Sequence, residues 1–311
     1  MGHSMKHIQS LLACIIILLS LTSRAQQFAL ASEAARLCRE MQLDAALEKS
    51  NLSIADKTES SEAYAWYVNG FVLKEIYKAR EYGLRNSTYR EEAIKSFANS
   101  MKLKNASQHL AMTRLALKYL ASTYYNDALQ AAQSISESGE DEAQTLFASF
   151  VKWMPIAEPG ISMTGYEKEY TKSIGQRYFS LWQRDTDSPE YRDKATAQYE
   201  KILKLDNSDV DAYYNLSVIH YNQAVFMYRK IDHETDLFDM MTIQEAASKL
   251  IREEALPLMD KAYELAPEKG EVVRGKIILH RALDHEKDVE YFKSEIARLI
   301  REGKITADQQ K

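Results

Sequence analysis

Cysteine is almost missing from this chain: 311 residues contain two, Cys14 and Cys38. Proline and glycine are scarce as well, at 5 and 10. That scarcity excludes an all-β fold built on many tight turns, and long Pro/Gly-rich linkers. No block of Lys and Arg occurs, and the formal net charge is −5. A nucleic-acid-binding surface leaves a positive footprint, so no nucleic-acid partner is expected. The longest apolar run, residues 11–21, is shorter than the ~20 residues that span a bilayer. HExxH, CxxC, GxSxG, the Walker loop and GxGxxG are all absent from the sequence. Those patterns place metal ligands, nucleophiles or phosphate-cradling amides at the spacing their chemistry requires. The expectation is therefore no catalytic residue, no cofactor and no metal ion.

What is present favours helix. The chain is 45% hydrophobic and 27% charged, enough to bury a core. Ala, Leu, Glu, Lys and Gln, all good helix formers, fill the stretches between breaks. Tyr is abundant, at 19.

The first residues read as a targeting segment. Lys6 and His7 give a short basic start, an apolar run follows, and Ser23-Arg24-Ala25 offers small residues where a signal peptidase cuts. This is the layout of a secretory signal peptide, predicted to be cleaved after Ala25 and leaving no stable membrane span. Leu11-Leu12-Ala13-Cys14 resembles a lipoprotein box, but the apolar stretch continues beyond Cys14. A new terminus at Gln26-Gln27 resembles exported proteins of the Bacteroidota. The implied location is the periplasm or cell envelope. Cleavage removes Lys6, Arg24 and no acid, so the charge of −5 becomes −7. Cys38 is then the single thiol, which rules out an internal disulfide. Its setting on an apolar helical stripe marks it as a buried structural thiol.

One pattern recurs along the remaining chain: an Ala, an apolar or small residue four further on, and another three beyond. It runs Ala93-Phe97-Ser100, Ala128-Ala132-Ile135, Ala195-Tyr199-Ile202 and Ala255-Met259-Ala262, with a weaker Ala46-Ser50-Ser53 and a last copy starting at Val289. Ala93 to Ala128 is 35 residues and Ala255 to Val289 is 34; the other intervals are 47, 67 and 60. A companion pattern carries an aromatic or bulky residue, then a small one. It gives Trp66 and Gly70; Met112, Leu115, Ala116 and Tyr119; Ile174, Gly175 and Tyr178; and Tyr213, Leu216, Ser217 and His220. Pro267 falls where successive copies would turn.

Together these copies resemble the tetratricopeptide repeat (TPR) family, whose period is ~34 residues, over about residues 30–300. The resemblance implies an all-α, TPR-like α-solenoid of antiparallel helix pairs, some of them elongated. Small residues at Gly70, Ala116, Gly175 and Ser217 would let paired helices approach. Trp66, Tyr119, Phe97 and Tyr199 would fill the space between pairs that cannot bury their apolar faces alone. The implied organisation is a signal peptide (1–25), an N-terminal block (26–139), a stretch that is either a hinge or a degenerate repeat (140–165), a C-terminal block (166–303) and a polar tail (304–311). Ser188-Pro189 fits a helix start. Ser208-x-x-Asp211, Thr242-x-x-Glu245 and Thr164-x-x-Glu167 fit capping boxes, and Gly139 and Gly270 fit helix ends.

The family's groove positions, carried residue by residue, give a candidate binding surface. They are Tyr64, Tyr67, Phe71 and Lys74; Thr113, Leu117 and Leu120; Lys172, Gln176 and Phe179; and Asp211, Tyr214, Val218, Tyr221 and Asn222. Tyr67, Phe71, Tyr214 and Val218 stand where the family's carboxylate clamp has Lys and Asn. The groove thus suits an extended peptide or partner helix, unless elongated helices cover it and the rings are core.

Other candidates read as structural. Asp232-His233-Glu234 and Asp284-His285-Glu286 fit solvated turns, with His280 and His285 on different helical faces. Glu91-Glu92 and Glu253-Glu254 fit first-turn acids favoured by the helix dipole. Leu237, Phe238, Met240 and Met241 form either a staple folded onto its own helix or a knob for a partner. The leading expectation is a non-catalytic scaffold for an unknown protein or peptide. The rivals are a glycan-binding or enzyme-associated component using Tyr64, Trp66, Tyr67 and Trp182, and a self-assembling subunit touching through residues 233–241.

Overall fold

A computed structural model of the chain describes residues 28–103, 105–136 and 140–306. The predicted signal peptide, Cys14 and Gly139 lie outside the described residues, as does the tail beyond residue 306. The described residues form helices and turns without a strand. The helices are α1 (Ala29–Arg39), α2 (Leu43–Ala55), α3 (Ala63–Ile76), α4 (Thr88–Lys102), α5 (Leu110–Gln133), α6 (Asp141–Ala157), α7 (Thr164–Arg184), α8 (Pro189–Leu205), α9 (Val210–Arg229), α10 (Leu237–Leu250), α11 (Leu256–Leu265), α12 (Gly270–Ala282) and α13 (Glu286–Arg301). None is long and apolar enough to cross a membrane.

The chain divides into two compact units. The first holds the described residues up to Ala128 together with Asp141–Ile161, and the second holds Leu129–Glu140 and Ser162 onward. Within each, consecutive helices pair antiparallel and successive pairs stack, the arrangement of an all-α solenoid. In the first unit, Ser100 donates to the Ala63 carbonyl at 2.8 Å, Ser96 to Asn69 at 2.7 Å, and Arg90 lies over Tyr77. Those contacts run in opposite directions along α3 and α4. In the second unit, Lys201 meets Glu167, and Tyr178 stacks on Tyr191, so α7 and α8 are antiparallel as well.

Small residues set the helix spacing at three of the places where the pattern put them, Gly70, Gly175 and Ser217. A β-carbon built on Gly70 would stand 2.8 Å from the Phe97 ring, which is fully buried. Gly175 faces Tyr199 at 3.3 Å, and Ser217 donates to the Ala255 carbonyl at 2.7 Å. Gly70→Ala is therefore expected to destabilise the first unit by about 1–3 kcal/mol through overpacking. That cost outweighs the ~1 kcal/mol that Ala gains over Gly in a helix. Urea denaturation checks it, and unchanged or raised stability would contradict the close approach.

Buried polar groups tie the first pairs together. Glu59, buried after α2, accepts from the Leu30 and Ala31 amides, both at 3.0 Å, and from the Ser53 hydroxyl at 2.6 Å. Its carboxylate thus caps α1 from another element, satisfying amides that a helix N-terminus leaves unpaired. Asn69 donates to Ser50 at 3.1 Å and Asn51 at 3.0 Å, linking α2, α3 and α4. Cys38 is buried and free, and burial pushes its thiol up from the ordinary range.

The structure corrects several local expectations. α5 is one helix of 24 residues, so residues 111–119 and 125–135 are not two halves of one repeat. Its buried stripe runs Thr113, Leu117, Leu120, Ala121, Tyr124 and Ala128, while Met112, Leu115 and Tyr119 are exposed. The reason is partner geometry: α5 pairs with α6, and Tyr125 packs on Phe150 at 4.9 Å. Ala128 therefore sits on the first helix of its pair. The stretch 140–165 contains this partner helix, α6, followed by a turn at Gly160 with φ +87°.

Caps shift as well. Asp209 caps α9 by accepting from the Ala212 amide, and Asp236 caps α10 through Asp239. α7 begins at Thr164 without a side-chain cap, and Thr242 lies inside α10. Ser188-Pro189 does start α8. Gly270 opens α12 instead of closing a helix. α10 and α11 are continuous through a π-turn, Ile251–Ala255, just before Pro257. A proline ring clashes with the carbonyl four residues back, and the wider turn accommodates it. Glu253 and Glu254 are consequently mid-helix residues, not first-turn acids.

Candidate functional site

Four of the predicted groove residues on α9 line a cleft. Tyr214, Val218, Tyr221 and Asn222, with Ser217, form one wall, and Gly275, Ile278 and Leu279 of α12 form the other, over Met259. The cleft measures about 190 Å³. Its spacing follows from helix geometry: 214, 218, 221 and 222 recur at the three- and four-residue steps of one helical face. Gly275 keeps α12 close, since a β-carbon there would meet the Met259 sulfur at 2.6 Å. Burial pushes the Tyr214 hydroxyl up from its ordinary value.

Asp211 sits one turn before Tyr214 and is ion-paired with Lys172 of α7 and with Lys269, which also reaches Glu271 at 2.8 Å. Burial acts to raise the Asp211 carboxyl, but hydrogen bonds from Lys172 and Lys269 outweigh it and hold the carboxyl below its usual range. Two predicted groove residues, Lys172 and Asp211, thus neutralise each other. Gln176 is exposed, and Phe179 packs 6.1 Å from Trp182.

In the first unit, Tyr64, Tyr67, Phe71 and Lys74 cluster on α3. Tyr67 stacks on His109 at 5.3 Å and 11°, Tyr64 lies 5.1 Å from the same imidazole, and Lys74 sits 4.6 Å over Phe71 while pairing with Glu75. Burial raises the Tyr67 hydroxyl and lowers the His109 imidazole from their ordinary values. His109 therefore covers a surface that the sequence leaves open. Thr113, Leu117 and Leu120 are buried core, a correction to their placement in the groove.

The suspects for a sugar site are divided between the two units: Tyr64, Trp66 and Tyr67 belong to the first and Trp182 to the second. Trp182 is buried, edge-on to Phe226 at 5.0 Å, and the Trp66 indole donates to the Ser60 carbonyl at 2.8 Å. A larger depression of about 570 Å³ in the first unit is lined by charges of both signs, among them Arg85, Glu91, Lys95 and Glu142. Arg85 and Glu142 already pair at 2.7 Å. The smaller cleft, with its apolar walls, is the better site for an apolar anchor.

Leu237, Phe238 and Met241 are 71%, 78% and 60% exposed. The staple reading is thereby corrected: these side chains do not fold onto their own helix. Asp232-His233-Glu234 is the expected solvated turn, with Asp232 accepting from the Glu234 and Thr235 amides. The second triplet differs. Although five residues apart, His280 and His285 bring their Nδ1 atoms to 3.1 Å. Sequence reasoning also missed the α12 wall of the cleft and the buried Arg90–Asp127 pair, at 2.5 Å. The clue to the wall was Gly275, which sits in the same small-residue role as Gly70 and Gly175.

No family model and no curated protein sequence matches the chain. Among solved structures it is similar to one described as the S. pombe nuclear import adaptor Nro1, at 12% identity and TM-score 0.32, covering 92% of this chain and 96% of that one. A second, described as the hypoxic regulator of sterol synthesis Nro1, a nuclear import adaptor, gives 13% identity and TM-score 0.33, covering 94% and 92%. No functional inference follows from superpositions at that level.

Proposed function

We propose that the protein is an exported, TPR-type, non-catalytic scaffold that captures a protein or peptide partner in the periplasm or cell envelope. The supporting observation is the α9/α12 cleft, lined by residues that the family resemblance assigns to a groove. Its size, about 190 Å³, is below the ~300–1,000 Å³ usual for small-molecule sites. It suits one or two apolar side chains of a partner, an anchor in a pocket with an aromatic rim. Asn222 and the hydroxyls of Tyr214 and Tyr221 supply hydrogen-bonding groups beside the anchor. Capture from envelope extract, comparing the parent with Tyr214→Ala/Tyr221→Ala, tests the reading. Partners retained by the parent and lost by the variant support it, and equal recovery removes the site.

Export rests on the leader sequence alone. The protein purified from the periplasmic fraction is expected to begin at Gln26 by intact mass. A chain retaining residues 1–25 in the cytoplasmic fraction would contradict the assignment.

A second reading, self-association, is favoured by the exposed Leu237, Phe238 and Met241 at the start of α10. These rise along one helical face at three- and four-residue steps, as a helix-packing surface does. It predicts a concentration-dependent mass in sedimentation that Phe238→Glu abolishes. A monomer at all concentrations contradicts it.

A further inference from the structure

The junction of α12 and α13 is built by a Schellman turn. The His285 amide donates to the His280 carbonyl at 2.9 Å, and the Asp284 amide to the Arg281 carbonyl at 3.2 Å. Asp284 takes the left-handed conformation at φ 56°, the position where glycine is usual. In this turn the residues flanking the helix end are brought face to face, and an apolar contact commonly joins them. Here both are histidines. His280 is buried against Phe292, its ring stacked at 5.5 Å and 17°, while His285 is exposed. Asp288, in the first turn of α13, places Oδ2 3.7 Å from the His280 Nδ1.

We propose that His280, His285 and Asp288 bind a divalent transition-metal ion, of the Zn²⁺, Co²⁺ or Ni²⁺ class. All three ligand atoms lie within 4.8 Å of one another. Two nitrogens each about 2.1 Å from a shared ion stand about 3.0 Å apart at a right angle and about 3.4 Å apart at the tetrahedral angle. The observed separation of 3.1 Å falls between these values. Without metal, the same distance serves a hydrogen bond from one ring to the other. Two imidazoles and a carboxylate are the donor set of borderline ions, and three protein ligands leave a position for water or a partner's side chain. The buried His280 is fixed by Phe292 and the turn, and the two exposed ligands close onto it. A bound ion pins α12 to α13, the former of which forms one wall of the cleft, but the site does not depend on that cleft having a partner.

The test is calorimetric titration of chelator-stripped full-length protein with Zn²⁺, with Co²⁺ absorption to report the ligand field. His285→Asn and Asp288→Asn alter exposed residues, and Asn suits the N-cap position that His285 occupies, so the fold survives in both. Circular dichroism confirms it. His233→Asn and removal of His3 and His7 are the controls. The expected result is about one Zn²⁺ per chain at micromolar or lower Kd, weakened in both site variants by more than roughly tenfold, the loss that even neighbours of metal ligands produce. The controls bind as the parent does. Affinity weaker than about millimolar, or undiminished affinity in His285→Asn, would overturn the proposal.

Discussion

Asp127→Ala is expected to destabilise the first unit by about 3–5 kcal/mol, the cost of leaving a buried charge unpaired. Arg90 is 0% exposed. Its guanidinium donates to Asp127 at 2.5 Å, Thr123 at 3.2 Å and the Arg85 carbonyl at 2.6 Å, and lies 3.9 Å over the Tyr124 ring. Arg90 sits on α4 and its partners on α5 and the loop before α4, so the pair bolts two successive helix hairpins. This geometry offsets part of the desolvation cost, with the Arg90 Nε buried and without a hydrogen bond; deleting Asp127 leaves the guanidinium with no solvent to turn to. The double variant Arg90→Met/Asp127→Leu removes both charges and is expected to recover most of the loss. Hydrogen exchange of α4 and α5 amides measures both without assuming that the two units unfold together. A loss below about 1 kcal/mol in Asp127→Ala would show that water reaches the pair.

Ile278→Arg is expected to weaken partner binding by about 2 kcal/mol or more, roughly 30-fold, the scale of a central interface residue. Ile278 is 43% exposed on the α12 wall, so an arginine there need not enter the core. It places a charge across the mouth of an apolar cleft, and an anchor side chain must then desolvate it. Gln176→Arg changes a predicted groove residue that lies outside the cleft lining and is expected to leave affinity within about twofold. Titration of a captured partner against both variants distinguishes a cleft from a broad charged surface. Equal losses in the two would mean that the groove register, and not this cleft, governs binding.

Much of the fold is legible because helix packing writes itself into small residues. Gly70 opposite Phe97, Gly175 opposite Tyr199 and Ser217 opposite Ala255 each follow from the need for two backbones to approach. The misreading of α5 has the same root. Ala128 matches the pattern of a second helix, but an Ala four residues from another apolar position occurs on any packed helix. Only the partner, α6, decides which stripe is inward. Caps were poorly legible because Asp209 and Asp236 lie one to six residues from equally good Ser and Thr candidates. The α9 half of the site was reached through the family resemblance, which carries groove positions onto 214, 218, 221 and 222. Its α12 half was not, because residues from separate helices meet only through tertiary packing. His280 and His285 escaped for a related reason: a helical wheel separates them, whereas the left-handed Asp284 between them folds the chain back. Arg90 and Asp127, 37 residues apart, carry no local mark of being paired.

A photo-reactive phenylalanine analogue placed at position 278 tests the central claim most directly. Illumination in envelope extract is expected to attach a partner segment, with the adduct mapping to an apolar anchor residue of that segment, and the same probe at the exposed position 176 is expected to give little or none. Adducts at 176 equal to those at 278, or none at 278 while the partner is still captured, would contradict the assignment of the cleft.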